Sequence, residues 1–266
     1  MLGKHSLTNV LDSRLQNEKR LLVALKGQMQ LGLYDANDVL DTYSVAVREA
    51  FKNPGRLKLL NFHHLTQEES FKNWESNSNS SIFLLHGRTA LTKTDCSWLS
   101  PTIFDLIGRY RDQRSVVIFH LCHDRVFMEK DTPSSVVISS LIYQLLEANT
   151  TILDQSKYEE LSRKFLDPRW RAGQSQFLFA VMGDLLDIFS EVYILLDRVD
   201  RIKGDADRFL DPLLGLMKRS KCKVKVFLVA SSNFQRDPEG KITADLLESL
   251  EELGPKRFAN MKLDQK

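Results

Sequence analysis

Short apolar runs alternate with longer segments of helical periodicity over most of the chain. Four runs are almost wholly apolar, as strands covered on both faces are, and they span 82–86, 115–121, 192–196 and 224–230. The spacing of apolar residues between and after these runs predicts helices over 97–112, 134–148, 174–189, 205–219 and 242–253. This alternation is typical of βαβ units, and it predicts an α/β fold with a mainly parallel sheet.

The N-terminal part of the chain has a different pattern. Apolar residues from Val10 to Leu25 recur at helical spacings, and capping residues at 35–38 precede a second predicted helix over about 38–51. We therefore assign 1–55 to an N-terminal helical segment. The two helices could form a docking surface or a coiled-coil arm, but an apolar side on each favours packing onto the domain that follows.

A connector is expected between this helical segment and the main domain. It spans 56–81, contains a predicted short helix from Thr66, and ends in a polar Ser/Asn stretch that is typical of a loop. The main α/β domain is then expected over 82–266.

Composition and charge limit the functions to consider. The chain has 266 residues, of which 42% are hydrophobic and 27% charged, as is ordinary for a globular protein. Its formal net charge of +2 is too small to indicate nucleic acid or an anionic membrane as a partner. No apolar run approaches the roughly 20 residues of a membrane-spanning helix, and three dispersed cysteines are typical of a reducing compartment. A cytoplasmic protein is expected.

A candidate phosphate-binding loop follows the first apolar run. Gly87, Lys93 and Thr94 match the first glycine, the lysine and the hydroxyl residue of the pattern G-x-x-x-x-G-K-[ST], while Thr92 stands where the second glycine belongs. The pattern reflects its chemistry, because backbone N–H groups surround the phosphates, the lysine neutralises them and the hydroxyl reaches magnesium.

Polar residues also follow the third and fourth apolar runs. Asp197 and Asp200 come after 192–196, and Ser231–Asn233 come after 224–230. The carboxyl ends of parallel strands lie at one edge of the sheet, where ligands bind. An aspartate that closes an apolar strand downstream of a glycine-lysine-hydroxyl loop is the usual arrangement for holding magnesium. Together these features predict a nucleotide-binding domain.

With these motifs, residues 82–234 resemble the core of the NACHT-type signalling ATPases of the STAND class, especially the fungal members. The family's helix of the form S-x-x-x-x-x-x-L-x-x-Q-L-L matches 134–146, its acidic strand matches 192–200 and its last strand matches 226–233. The likeness covers a little over half of the chain. It implies a P-loop NTPase three-layer sandwich that takes part in signalling, with protein partners or self-association.

The resemblance also implies a role for each matched residue. The triphosphate would be bound by Gly87, Arg88, Thr89, Ala90, Leu91, Thr92, Lys93 and Thr94. Thr94 and Asp197 would hold magnesium, and Asp200 would match the second, catalytic aspartate. Ser232, or Asn233 in place of the usual arginine, would lie near the γ-phosphate as a sensor. The expected cofactor is ATP or GTP with magnesium.

Three departures from the family pattern argue against rapid hydrolysis. Thr92 is β-branched and resists the positive φ that glycine allows, at a cost of about 1–3 kcal/mol if the loop needs that φ. Arg201 stands where the family has a glutamate that positions water, and Asn233 stands where it has arginine. A nucleotide-binding regulatory or signalling domain with weak or no hydrolysis is therefore the main hypothesis.

Other interpretations stay open. The first is a pseudo-ATPase that serves as a protein-interaction module without nucleotide, with Lys93 and Thr94 merely opening a surface helix. The second is a small P-loop kinase-like enzyme, for which Arg163, Arg169 and Arg171 would supply a lid. Zinc is not expected, because the His120–His123 stretch has no second Cys/His cluster to complete four ligands.

Overall fold

The computed structural model describes residues 3–51, 60, 62–89, 97–122, 132–168, 175–203, 206–233, 244, 247–248 and 250–265. The strands are β1 (Ser81–Thr89), β2 (Val116–Leu121), β3 (Thr132–Pro133), β4 (Glu191–Asp197), β5 (Ile202–Lys203), β6 (Lys223–Asn233) and β7 (Phe258–Gln265). The helices are α1 (Gly3–Gln28), α2 (Ala36–Ala50), α3 (Phe62–Gln67), α4 (Glu69–Ser76), α5 (Pro101–Asp112), α6 (Ser134–Ala148), α7 (Gln155–Leu166), α8 (Ser175–Leu186) and α9 (Ala206–Arg219). Residues 247–248 and 250–251 are also helical.

Five strands form one sheet in the order β2-β4-β6-β1-β7, and every neighbouring pair is parallel. The central strands are buried on both faces, as Ile82–Leu85 of β1 and Val224–Ala230 of β6 illustrate. This explains why they are apolar without alternation. The predicted three-layer α/β sandwich with a mainly parallel sheet is confirmed.

Helices cover both faces of the sheet. On β2, the Phe119 ring lies 5.4 Å from the Arg111 guanidinium of α5. The next residue, His120, makes a 2.7 Å hydrogen bond between its Nδ1 and the Ser140 hydroxyl of α6. Because consecutive strand residues point to opposite faces, α5 and α6 lie on opposite sides of the sheet. Helix α8 packs against α6, and α9 packs against α8.

Gln144 of α6 has a structural role at the outer strand β2. Its Nε2 donates to the Phe119 carbonyl at 2.7 Å, and the Phe119 N–H donates to its Oε1 at 3.0 Å. The side-chain amide thus satisfies a backbone donor and a backbone acceptor of a strand that pairs with β4. This pairing explains why a glutamine is buried in α6.

The N-terminal helices pack onto the rest of the chain. Helix α1 packs against α6 and α7, and α2 packs against α5 and β2. Tyr43 of α2 is fully buried, and its ring makes an edge contact with Phe104 at 5.6 Å between centroids. Of the alternatives for these helices, packing is the one that the structure shows.

The structure differs from the predicted elements in several places. The fifth main strand, β7, was not predicted because it alternates partly buried and exposed residues, such as Met261 and Lys262, as an outer strand does. Helix α7 was not predicted either, and Arg163 lies within it. Strand β1 continues to Thr89, three residues beyond the predicted 82–86, because its pairing with β6 and β7 extends to that residue. Among the described residues, no helix is long and apolar enough to cross a membrane.

Candidate functional site

The carboxyl edge of the sheet brings several predicted residues together. In the β1–β6 pair, Gly87 lies opposite Ser231, Arg88 opposite Ser232 and Thr89 opposite Asn233. Asp197 ends β4, which pairs with the other side of β6. It is thus two strand spacings, about 9.6 Å, from β1.

The remaining predicted loop residues, Ala90 to Thr94, lie outside the described residues, as do the side chains of Arg88, Thr89, Ser232 and Asn233. The edge is therefore described by the backbone of β1 and β6 and by the side chains of β4 and of the turn before α5. The phosphate-binding role of Ala90–Thr94 stays a prediction.

Gly87 is required by close packing. A Cβ at this position would overlap the Leu263 carbonyl oxygen of β7 and would lie 3.1 Å from a ring carbon of Trp98. The first contact is with backbone, which cannot move without shifting β7. The glycine therefore has a structural reason that is independent of any phosphate.

Gly87→Ala is expected to lower the free energy of unfolding by about 1–3 kcal/mol, because the added methyl group forces β1 and β7 apart. Urea unfolding followed by circular dichroism measures this. Gly108→Ala is the control, because a Cβ on this exposed glycine of α5 would meet nothing within 4 Å; it should stabilise the helix by about 0.5–1 kcal/mol. Equal stability of Gly87→Ala and wild type would contradict the packing explanation.

Asp197 is fully buried among hydroxyl groups. Its Oδ2 accepts a 2.6 Å hydrogen bond from Ser100, and the Ser100 Oγ lies 3.0 Å from the Tyr43 hydroxyl oxygen. Burial raises the pKa of the Asp197 carboxyl to about 6, while the Ser100 hydrogen bond, Arg198 and Tyr43 act in the opposite direction. Hydrogen bonds to the charged form favour it, but here desolvation outweighs them.

Two buried polar atoms at this edge lack a hydrogen-bond partner within the described part of the chain. They are Oδ1 of Asp197 and Nε1 of Trp98. Leaving such a group unsatisfied costs about 1–3 kcal/mol, so each calls for an explanation. A carboxylate oxygen suits a divalent cation, and an indole N–H suits an anionic oxygen. The two atoms therefore have the chemistry of a cation ligand and of a phosphate-binding donor, respectively.

Asp200 forms a buried ion pair with Arg198. The Arg198 Nε and Nη2 donate to Oδ1 and Oδ2 of Asp200 at 3.1 and 2.9 Å, and the two side chains are 8% and 3% exposed. Burial by itself would lower the pKa of Arg198, but the Asp200 charge raises it above its usual value. Arg198 adopts a left-handed conformation with φ of 56° directly after Asp197. The Asp200 carboxylate is thus engaged by its own neighbour rather than open to a substrate.

Residues 62–231, well over half of the chain, match the family model described as "Nephrocystin 3, N-terminal". The chain belongs to this family. The match includes β1, β2 and β4 and most of β6, but not α1, α2 or β7. No curated protein matches the chain in sequence.

Several solved structures are distantly similar to this nephrocystin 3 N-terminal family member. The ORC2 protein of Aeropyrum pernix in ADPNP–ADP complexes has a TM-score of 0.42 and 14% identity, over 76% of this chain and 46% of that one. A Walker-type ATPase of Pyrococcus abyssi has a TM-score of 0.44 and 15% identity, over 78% and 56%. Drosophila ORC bound to AT-rich DNA and Cdc6 has a TM-score of 0.36 and 11% identity, over 90% and 58%. The chain spans about half the length of the first of these structures, and likenesses at this level carry no argument about function.

His120 and Cys122 of the family member are core residues. Both are buried, and burial lowers the pKa of His120 to about 3, which leaves its ring neutral at physiological pH. Burial also raises the pKa of the Cys122 thiol. His123 lies outside the described residues. Within the described ranges, no three potential metal-binding side chains of His, Cys, Asp or Glu converge.

Three residues of the site are not predicted from the sequence: Tyr43, Trp98 and Ser100. Ser100 followed by Pro101 is a recognisable helix start, and it would have placed the start of α5 at 101 instead of 97. The sequence gives no local signal for the other two contacts. Tyr43 lies on a helix outside the residues that match the nephrocystin 3 N-terminal family.

Proposed function

We propose that this chain is a nucleotide-binding regulatory domain that binds ATP or GTP with magnesium at the carboxyl edge of its sheet. One observation carries the proposal: Asp197 closes an apolar strand in full burial, with Oδ1 unpartnered among the described residues. A buried carboxylate without a counter-charge on that oxygen is costly, and a bound cation removes this cost.

In this proposal the loop binds the phosphates, and the loop and the end of β4 together hold magnesium. Backbone N–H groups of the loop up to Thr94 and the Lys93 ammonium bind the phosphates, while Thr94 and Asp197 hold magnesium. Magnesium, when bound, neutralises charge on the phosphate oxygens. Ser232 or Asn233, on the strand beside β1, would act as a sensor of the γ-phosphate.

Slow or absent hydrolysis is part of the proposal. Asp200 would have to accept a proton or orient water to act as a catalytic base, and the Arg198 ion pair opposes this. Arg201, at the position of the glutamate in the NACHT-type pattern, is itself buried. These features support a switch of the NACHT/STAND kind, which changes its contacts with protein partners or with further copies of itself, and a cytoplasmic location is part of the proposal. The division into a helical segment, a connector and an NTPase-like domain belongs to the same proposal.

One observation favours a second candidate, the pseudo-ATPase interaction module. Gly87 to Thr89 are paired in β1 with strands on both sides. Backbone N–H groups that bond neighbouring strands cannot also surround a phosphate. Gly87 also has the packing role described above, so its presence does not require a nucleotide.

Nucleotide titration separates the two candidates. Fluorescently labelled ATP, ADP and GTP, each with magnesium, are expected to bind saturably, and Lys93→Ala should weaken binding about 10- to 100-fold by removing charge-assisted hydrogen bonds. Lys72→Ala, which removes an exposed lysine of α4, is the matched control. Absence of saturable binding to wild type would sink the nucleotide proposal and leave the interaction module. A turnover assay with phosphate acceptors tests the kinase-like alternative.

A further inference from the structure

A buried chain of hydroxyl groups joins helix α2 to Asp197. The Tyr43 hydroxyl oxygen lies 3.0 Å from Ser100 Oγ, and Ser100 Oγ lies 2.6 Å from Asp197 Oδ2. All three residues are inaccessible to solvent. A serine hydroxyl has one proton, and that of Ser100 is donated to Asp197. The Tyr43 proton therefore points along the chain towards Ser100 and the carboxylate.

We propose that Tyr43 is a positioning residue of the nucleotide site, so that seating of helix α2 and binding of magnesium nucleotide stabilise each other. This inference rests on the proposed function, because it concerns the same aspartate. It adds a helix that lies outside the family match and that the sequence assigns to a separate N-terminal segment.

A hydrogen bond to one oxygen of a carboxylate affects how the other oxygen is oriented towards a cation. Ser100 engages Oδ2, whereas Oδ1 has no partner among the described residues. A carboxylate fixed at one oxygen loses rotational freedom, and the remaining oxygen is presented in one direction. Groups that hydrogen-bond to a metal ligand orient that ligand, and a metal site needs them for its full affinity. Tyr43 acts on the cation through Asp197 and does not bind it.

The packing of helix α2 allows its local opening to depend on whether magnesium nucleotide is bound. It buries one face, made by Ala36, Val39, Tyr43 and Val47, while most of its other positions are exposed. Of these four residues, Tyr43 is the one that carries a hydroxyl group. A surface helix that buries one face can open locally without global unfolding. If Tyr43 improves cation binding, then cation binding must hold Tyr43, and with it α2, by the same factor.

Tyr43→Phe tests this with little change in shape, because the ring and its contact with Phe104 remain. We expect the dissociation constant of labelled ADP with magnesium to rise about three- to tenfold, as for the loss of one buried hydrogen bond. Binding of labelled ADP in EDTA should be unchanged, because the effect passes through the cation. Tyr158→Phe is the control, since the hydroxyl of this half-buried tyrosine contacts Gln28 at 3.4 Å instead. Ser100→Ala should show the same magnesium-specific loss as Tyr43→Phe.

Hydrogen exchange measures the reciprocal effect. Magnesium ADP should slow amide exchange in α2 of wild type, and it should do so less in Tyr43→Phe, while exchange in α7 stays the same. Equal weakening by Tyr43→Phe with magnesium and in EDTA would assign Tyr43 a merely structural role and overturn the inference. The inference would also be overturned if Tyr43→Phe bound magnesium ADP with wild-type affinity. The same holds if magnesium ADP did not change amide exchange in α2 of wild type. If wild type binds no nucleotide at all, the proposed function fails first and the inference falls with it.

Discussion

Replacing Arg198 with Met is expected to lower the free energy of unfolding by about 3–5 kcal/mol. The substitution keeps an extended side chain but leaves the Asp200 carboxylate, 3% exposed, without the guanidinium that now donates to both of its oxygens. A buried charge that loses its partner pays its desolvation cost without compensation. Urea unfolding at neutral pH measures the loss.

A double-mutant cycle isolates the ion pair. Asp200→Asn combined with Arg198→Met removes both charges, so the double variant should be more stable than Arg198→Met alone. Arg109→Met is the matched control, because its ion pair with Glu75 is equally short, at 3.0 Å, but its side chains are 34% and 25% exposed. That pair should contribute only about 0–1 kcal/mol. If both arginine variants lose the same small amount, burial does not strengthen the Arg198–Asp200 pair.

Replacing Asp197 with Asn is expected to stabilise the protein at neutral pH while removing magnesium-dependent nucleotide binding. The pKa of the Asp197 carboxyl is raised from 3.8 to about 6, mainly because burial disfavours its charge. At about 1.4 kcal/mol for each pH unit, the ionised form costs up to about 3 kcal/mol at pH 7. Asparagine keeps an oxygen for the Ser100 hydroxyl and has no charge, so we expect a gain of about 1–3 kcal/mol.

The stability difference between wild type and Asp197→Asn should depend on pH, in a direction that follows from the raised pKa of Asp197. Between about pH 4 and 6 the folded protein binds more protons at Asp197 than the unfolded chain does, so the contribution of this group to stability falls as pH rises. Unfolding of wild type and Asp197→Asn should therefore differ little near pH 4 and most above pH 6. Taking the difference cancels other carboxyls with a raised pKa, such as Asp105 and Glu147. A variant that is less stable than wild type at pH 7.5 would refute the account.

The binding half of this prediction uses the same variant. Affinity for labelled ADP with magnesium should fall at least about tenfold, whereas affinity in EDTA should stay unchanged. Asp112→Asn, an exposed change at the end of α5, is the control. Gain of stability together with loss of binding identifies a residue kept for function at the expense of the fold.

The sequence predicts the inner strands of this sheet better than its outer ones. β4 and β6 are buried on both faces, so their runs are apolar apart from the buried Lys225 of β6, and both ends of β4 are predicted to within one residue. β7 is half-buried and carries polar residues such as Asn260 and Lys262, so its pattern is not that of a buried strand. The pattern of hydrophobic residues indicates which positions are buried. It therefore identifies a strand only where that strand is buried.

The residues of the candidate site also differ in whether the sequence predicts them. Asp197 was predicted because a strand and its closing carboxylate are adjacent in sequence. Ser100 and Tyr43 were not, because they are 97 positions from Asp197 and 57 positions from Ser100, respectively, along the chain. Gly87 was predicted for a phosphate-binding reason, whereas the structure supplies a steric reason that no local pattern contains. Contacts between distant segments depend on the assembled fold and leave no local trace.

The position of Tyr43 also bears on how fragments of this family should be chosen for study. A fragment that begins at residue 62, where the family match starts, lacks α2 and with it one hydroxyl donor of the Asp197 environment. Water would then reach that flank of the carboxylate, hydrate it and shift its pKa back towards that of a free aspartate. Such a fragment could fold and still present a hydrated aspartate in place of a dry one. Its metal affinity would describe the fragment rather than the protein.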